Sequence, residues 1–425
     1  METSFVHISG RGIHGSSGVS CTNFLDRLQT GISSIKTNPP ELNTPIRTAS
    51  ILDETIHPLG KVFHMIQMAL YESLESAGLW NGEPWKIKST ENLQEVSSRF
   101  SANISGIPRK IGIFLGVSAN NMSNYGERNY KKLYESLLKE LNSKIQNDHT
   151  VFNEGISPIC TAKLVRQLIG NSPIGPNVTI QNADVSSMQA IGEAFKAIQC
   201  GEIDLAITGG VQEYSLWTAL NLEKYNLHSR ENKVADACRP FDQRRQGIVL
   251  GEGSGILILE SDLNLERRRK KAYGLIRSYA GSNHCHRLIN HPLSGNGLTR
   301  AIKKCWQMAS KPQIDLIIAN AVGSRNIDAS ECTAIIDSQI GNPWVQSIKS
   351  FTGHTMASAG VYNVIAGLLQ QERKFFSHTL HLESPDPHCD VNHIPHGGIQ
   401  ERVNFMLLNA MGLGGNNASL IVEFR

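Results

Sequence analysis

The sequence has no run of about 18 apolar residues, and its opening, METSFVHISGRGIHG, carries neither a basic n-region nor an apolar h-region. A membrane span and a secretory leader are not expected, and the chain reads as a soluble, cytoplasmic protein. An excess of one charge is missing as well. Its 41 Lys and Arg against 38 Asp and Glu leave a net +3 over 425 residues, too dispersed for a polyanion surface, so nucleic acid is not an expected partner. Cys-x-x-Cys pairs are absent. The eight cysteines stand scattered at 21, 160, 200, 238, 285, 305, 332 and 389, which suits reduced thiols and argues against a disulfide framework or a structural zinc. Glycines at 251, 253 and 255 resemble a phosphate loop, but no Lys-Ser/Thr pair follows them, so a nucleotide motif is excluded.

What the chain does have is length and an alternation of strand-like and helix-like segments. Its 425 residues accommodate two domains or one large duplicated unit with buried sheets. The opening reads as a strand running into a glycine-rich turn at Gly10, Gly12 and Gly15, followed by a helix near 23–30. Residues 60–79 carry Val62, Met65, Ile66, Leu70, Leu74 and Leu79 near a helical period. The polar stretch 85–109 is expected to be a surface excursion before a strand at 110–116. A strand at 177–181, a helix at 185–200 striped with Met188, Ile191, Phe195 and Ile198, and a strand at 205–208 follow. From about residue 255 a second series begins: strands at 255–259, 316–319 and 419–424, with helices near 296–309, 329–339 and 358–371. This alternation predicts an α/β architecture of two related halves, residues 1–255 and 256–425.

Five separated segments resemble the β-ketoacyl-ACP synthase family. Arg239-Pro-Phe-Asp242 with Gly247-Ile-Val-Leu-Gly251-Glu-Gly-Ser-Gly255 is similar to its RPFD and GxVxGEGxG signature. His381-Leu-Glu-Ser-Pro-Asp-Pro-His-Cys389 is similar to its xLxxPDPxC segment, and Lys349-Ser-Phe-Thr-Gly-His354 with Ala359-Gly360 to its KSxxGHxxxAAG helix start. Asn409-Ala-Met-Gly-Leu-Gly-Gly-Asn-Asn417 resembles the NSFGFGGTN loop, and Ser9–Gly18 the opening TGxGxxSPxG turn. The resemblance implies a thiolase-type fold, a five-layer αβαβα sandwich of two duplicated halves that forms dimers.

Decarboxylating condensation needs a nucleophile to hold the acyl chain, basic side chains, and backbone donors for the thioester oxyanion. Family members supply a cysteine, in a TACxS context at a strand-to-helix turn, and two histidines. Aligning Thr179-Ile-Gln-Asn-Ala-Asp184-Val-Ser-Ser without a gap puts Asp184 on the cysteine. A carboxylate is a weak nucleophile toward a thioester, whereas Asp is a strong helix N-cap, so Asp184 is expected to cap the helix behind it. Where the family has AHGTxT the chain reads Asn320-Ala-Val322-Gly-Ser324, so Val322 replaces the first histidine. The second remains as His354, and the gating phenylalanine is Leu413. Asp328 and Glu331 keep the DxxE spacing. The resemblance implies an ion pair between Glu331 and Lys349.

Loss of the cysteine and of one histidine resembles the chain-length-factor branch, whose defective chain pairs with an active ketosynthase. The resemblance implies a non-condensing subunit of type II polyketide or polyene biosynthesis with no catalytic residues of its own. Its partners would be an active ketosynthase and an acyl carrier protein bearing a phosphopantetheine-bound chain; no cofactor and no metal are expected. The acyl tunnel is expected to touch Ala119 and Cys160, with Met122 or Tyr125 as its floor. Two alternatives stay open: a malonyl-carrier decarboxylase using Asp184 and His354, and a homodimeric scaffold of fatty-acid synthesis. The run Arg267–Lys271 is the densest basic segment, read as the end of a solvated helix and a candidate contact for an acidic carrier protein. Asn283-His-Cys-His286 and the histidines at 381, 388 and 393 lack the spacing of a metal site.

Overall fold

The computed structural model describes residues 4–37, 47–49, 61–86, 92–117, 161–170, 175–214, 216–231, 233–286, 289 and 291–424. Two runs of five strands with the same internal order make up its centre. The first comprises β1 (Val6–Gly15), β2 (Ile111–Val117), β3 (Asn177–Ile180), β4 (Leu205–Gln212) and β5 (Gly253–Ser261), lying side by side as β3-β2-β4-β5-β1. The second comprises β6 (Gly274–Asn283), β7 (Leu316–Ile318), β8 (Trp344–Gln346), β9 (Phe405–Met411) and β10 (Asn416–Glu423), ordered β8-β7-β9-β10-β6. In each half the fifth strand in sequence runs antiparallel to both neighbours and the second, third and fourth pair in parallel. The duplication, invisible as a sequence repeat, is therefore explicit in strand order. The expected division at 255/256 falls inside β5, so the halves meet instead in the connection between Ser261 and Gly274.

Helices complete the five layers. After α1 (Cys21–Thr30), the outer face of the first sheet takes α2 (Lys61–Ser76), α3 (Leu93–Ser101) and α4 (Thr161–Ile169), sharing one apolar core with Ile256, Ile258, Ile207 and Leu115. Between the sheets run α5 (Ser186–Gln199) and α8 (Ala359–Arg373), packed with Leu257, Leu259, Ala206, Leu408 and Leu420. The outer face of the second sheet takes α6 (Asn296–Met308) and α7 (Arg325–Ser338) with Ile317, Leu407 and Ile421. Alternate residues of β5 thus enter different cores, and a strand covered on both faces reads as the unbroken apolar run Ile-Leu-Ile-Leu. β1 and β6 join the two sheets through only three residue pairs, Val6 to Ile276 through Ile8 to Gly274.

Two local expectations are corrected. The glycines at 10 and 12 lie within β1, which continues to Gly15. A Cβ at Gly12 would stand 2.1 Å from Ala69 O and 2.6 Å from Ser73 N, so the glycine lets the α2 backbone lie directly on the strand. The polar stretch after residue 85 contains α3, whose Asn92 and Glu95 form a reciprocal capping box and whose Leu93, Val96 and Phe100 are buried against Trp80 and Trp85.

Candidate functional site

β3 delivers the chain into a sharp turn. Ala183 takes a left-handed conformation at φ 47°, a strained setting for a residue with a Cβ, and the next residue, Asp184, stands at the crest ahead of α5. Ser186 locks the turn: its Oγ donates to Ala183 O at 2.6 Å and accepts from Asn182 N at 2.8 Å. Gly116 lets the helix start approach β2, because a Cβ there would lie 2.3 Å from Ser187 N.

Asp184 does not cap α5. The N-cap is Val185, which has helical dihedrals and no side-chain cap bond. The Asp184 carboxylate turns instead toward His354, with Oδ1 3.4 Å from Nε2. Both residues are buried, and neither Asp184 Oδ1 nor His354 Nδ1 has an aligned hydrogen bond. Burial pushes the imidazole of His354 below its ordinary range, and Asp184 partly opposes that shift. His354 is fixed by its backbone, its N–H donating to Val249 O at 2.7 Å and its carbonyl accepting from Gly251 N at 2.9 Å.

The turn at Asn320–Ser324 is held by two carboxylates from α7. Glu331 accepts from the amides of Asn320 at 2.8 Å and Ala321 at 2.7 Å, and Asp328 from those of Val322 at 2.9 Å and Gly323 at 3.2 Å. Four consecutive amides thus end on the two acidic residues of the DxxE motif. Asp328 also accepts from Phe241 N at 3.0 Å and faces Arg245 Nε at 3.5 Å. Burial raises the carboxyls of both Asp328 and Glu331 above their usual values, opposed by these donors and by the neighbouring cations.

The implied direct ion pair between Glu331 and Lys349 is not formed. Lys349 Nζ donates to Asn320 O, while Glu331 binds that residue's N–H, so Asn320 stands between them. Burial pushes the Lys349 ammonium down to about 8, with Glu331 and Asp184 pulling it back up. Val322 is buried in this same turn and offers only an isopropyl group.

The loop carrying Leu413 lies across the elbow. A Cβ at Gly412 would meet Val185 Cγ2 at 3.1 Å and Asp184 N at 3.4 Å. Asn416 Nδ2 donates to Asn182 Oδ1, and Asn283 Nδ2 donates to Gly414 O at 3.1 Å, tying loop, elbow and β6 together. An open cleft of about 380 Å³ adjoins this point, lined by Asn182, Val185, Gln189, Tyr279, Ser282 and Asn416 among others.

One site residue escaped the sequence reading. His291 is buried, its Nδ1 lacks a hydrogen bond, and its ring lies 5.1 Å from that of His284. The neighbouring His284 backbone N donates to Gly415 O at 3.0 Å. Burial drives His291 down to about 4, His284 adds to the shift, and Asp184 opposes it. The only signal was its place just beyond the histidine-rich stretch 284–286.

Ala119, Met122, Tyr125 and Cys160 lie outside the described residues. The basic run is not simply solvated: Arg268 turns inward to Glu260 and Ala77 O. It follows the far end of β5, whereas His354 bridges to Leu250 ahead of the near end. Nine residues of strand, roughly 30 Å, therefore separate the run from the elbow.

The chain matches the family models described as Beta-ketoacyl synthase, N-terminal domain, over residues 90–264, and Beta-ketoacyl synthase, C-terminal domain, over residues 273–383. It is 30% identical over 255 residues to 3-oxoacyl-[acyl-carrier-protein] synthase 2 of Staphylococcus aureus, covering 59% of this chain and 63% of that protein. The enzyme of the same name from Synechocystis sp. is 33% identical over 257 residues, covering 58% and 61%. The matches thus span less than two thirds of these relatives. Among solved structures, the ishigamide ketosynthase/chain length factor superposes with a TM-score of 0.80 at 22% identity over the whole of both chains. A type II polyketide synthase acyl-carrier protein in complex with its ketosynthase bound to the hexaketide gives 0.78 at 21%, also over the whole of both chains.

Proposed function

This chain belongs to the β-ketoacyl synthase family, and on that premise we propose that it is a non-condensing subunit of the chain-length-factor kind. It pairs with an active ketosynthase and shapes the tunnel for a carrier-bound acyl chain in type II polyketide or polyene biosynthesis. The observation that carries the reading is the residue at the elbow. Asp184 crowns the strained turn ahead of α5, where a thiolate would hold the acyl group, and the turn at Asn320–Ser324 offers Val322 instead of a base. A carboxylate there gives no durable acyl-enzyme, so the bond-making step falls to the partner.

Co-expression with a ketosynthase that has a TACxS elbow tests this. A one-to-one complex is expected, with acyl adducts on the ketosynthase only by intact-protein mass spectrometry. A stoichiometric acyl adduct on this chain, or a homodimer indifferent to that ketosynthase, refutes it. Placement of Ala119, Met122, Tyr125 and Cys160 along the tunnel belongs to the same proposal: Ala119→Phe in the intact pair should shorten the product.

The 3.4 Å approach of Asp184 to His354 favours one second reading, a decarboxylase of malonyl-carrier substrate. Its signature would be carbon dioxide release by this chain alone, abolished in His354→Ala.

A further inference from the structure

The basic run Arg267–Lys271 takes no part in the site around Asp184. It lies on and just past the short helix Asp262–Arg268, which follows β5 at the end of the strand away from the elbow. Arg268 is committed to Glu260 and to Ala77 O. Arg267, Arg269, Lys270 and Lys271 are exposed, and none of the four has a carboxylate within ion-pair reach among the described residues. Two large apolar side chains stand at the same place: Leu263 is 63% exposed and Phe5 48%. They flank Asp262, whose carboxylate accepts from Phe5 N at 3.0 Å and is held by His7, so its charge is already engaged. Leu263 and Arg267, four apart on the helix, share one face.

The other charges at this end are balanced. Arg277, whose guanidinium carbon lies 5.8 Å from the centre of the Phe5 ring, faces Glu423 at 3.4 Å. Arg109 and Lys110, ahead of β2, are offset by Glu202 and Asp204, ahead of β4. The charge left over is the run itself, four exposed cations against Glu266. A protein partner would need apolar anchors seated in a pocket, whereas Phe5 and Leu263 project from the end of the sheet. Projecting apolar tips beside long cationic side chains suit an anionic bilayer, where the tips enter the headgroup layer and the cations lie in its negative potential.

We propose that this end of the first sheet is a peripheral membrane contact, with Phe5 and Leu263 entering the headgroup layer of an anionic bilayer and Arg267, Arg269, Lys270 and Lys271 lying against its acidic lipids. The contact leaves the elbow, at the opposite end of β5, facing away from the lipid. Each cation near such a surface strengthens binding roughly fivefold, so removing three of them weakens it on the order of 100-fold. Withdrawing a leucine tip from the lipid weakens it by a further factor of about 10.

The test is flotation of the full chain with vesicles of phosphatidylcholine alone and of an equimolar mixture with phosphatidylserine; aggregated protein does not float. The expected result is flotation with the anionic vesicles only, weakening as salt is raised. The combined variant Arg267→Gln, Arg269→Gln, Lys271→Gln should lose roughly 100-fold in affinity, and Leu263→Ser roughly 10-fold at unchanged charge. All four positions are exposed, and an unshifted thermal midpoint confirms that each variant is folded. No flotation with anionic vesicles overturns the proposal, as does equal flotation with both vesicle types or full affinity in either folded variant. Capture of an acidic carrier protein that the combined variant loses, with vesicles ignored, overturns it in favour of a protein site.

Discussion

The acidic pair on α7 allows a sharp calculation. Asp328 is fully buried, with Oδ1 taking the amide of Val322 and Oδ2 those of Phe241 and Gly323, while Arg245 stands 3.5 Å away. Asp328→Asn keeps the shape and leaves one oxygen. Whichever way the new amide is turned, its NH2 faces at least one backbone N–H, so a donor is orphaned and two donors confront each other. A buried unsatisfied amide costs roughly 1–3 kcal/mol, and the confrontation adds to it, giving about 3 kcal/mol in all. Arg245 retains Asp386 at 2.8 Å and the carbonyls of Asp242 and Arg325, so its own loss is small. If the penalty falls on the turn, hydrogen exchange in peptides covering 320–324 and 239–245 should quicken roughly 100-fold. Peptides from β9 and β10 should change little. The reasoning fails if a folded Asp328→Asn exchanges within about threefold of the parent at both segments.

Lys61 Nζ lies 2.8 and 2.9 Å from the two oxygens of Glu252, which is fully buried; Lys61→Met should cost about 3–5 kcal/mol, read as a lower denaturant midpoint, and a loss under about 1 kcal/mol would contradict the pairing. Gly12→Ala puts a Cβ against the α2 backbone and should lower stability by roughly 3 kcal/mol or leave the chain insoluble, whereas a fully stable variant would show that the helix yields freely. His291 has a folded value of about 4, below its ordinary 6.5, so the stability it contributes is complete above pH 6.5 and is lost as pH falls toward 4. That loss is about 3 kcal/mol across the window, and His291→Gln should flatten the fall of the denaturation midpoint with pH; an unchanged slope would count against the burial argument.

Much of this fold was legible where one force dominated. The continuous apolar run of β5 and the stripe of Met188, Ile191, Phe195 and Ile198 on α5 are core signals, and each became an element close to its expected place. The misses lie where local and tertiary forces compete. Glycines in β1 read as a turn because their use is the close approach of another helix, a contact that no local pattern records. The α3 helix was hidden by its Ser and Asn content, although Asn92 and Glu95 at capping-box spacing were there to be read. Asp184 was expected to cap by type, but inside the fold its side chain turns toward His354, a residue 170 positions on that no local pattern places beside it. Glu331 and Lys349 face one another across Asn320, which spacing alone could not place. His291 belongs to the site only because its loop folds back beside the Gly415 turn, a long-range event.

The pairing of β1 also bears on how the chain is made. Val6 has Ser261 as its partner on one side and Ile276 on the other, so among the described residues β1 gains these ladder partners only after about 255 further residues have been added. At ribosomal rates of roughly 5–20 residues per second, the segment waits on the order of 10–50 s for these ladder partners. Its parallel companions β2, β3 and β4 have an open flank over the same interval, because β5 must arrive to separate β4 from β1. β2, β3 and β4 can pair as they emerge, but their joining to β1 is a late event, and the β4 edge stays open until β5 arrives.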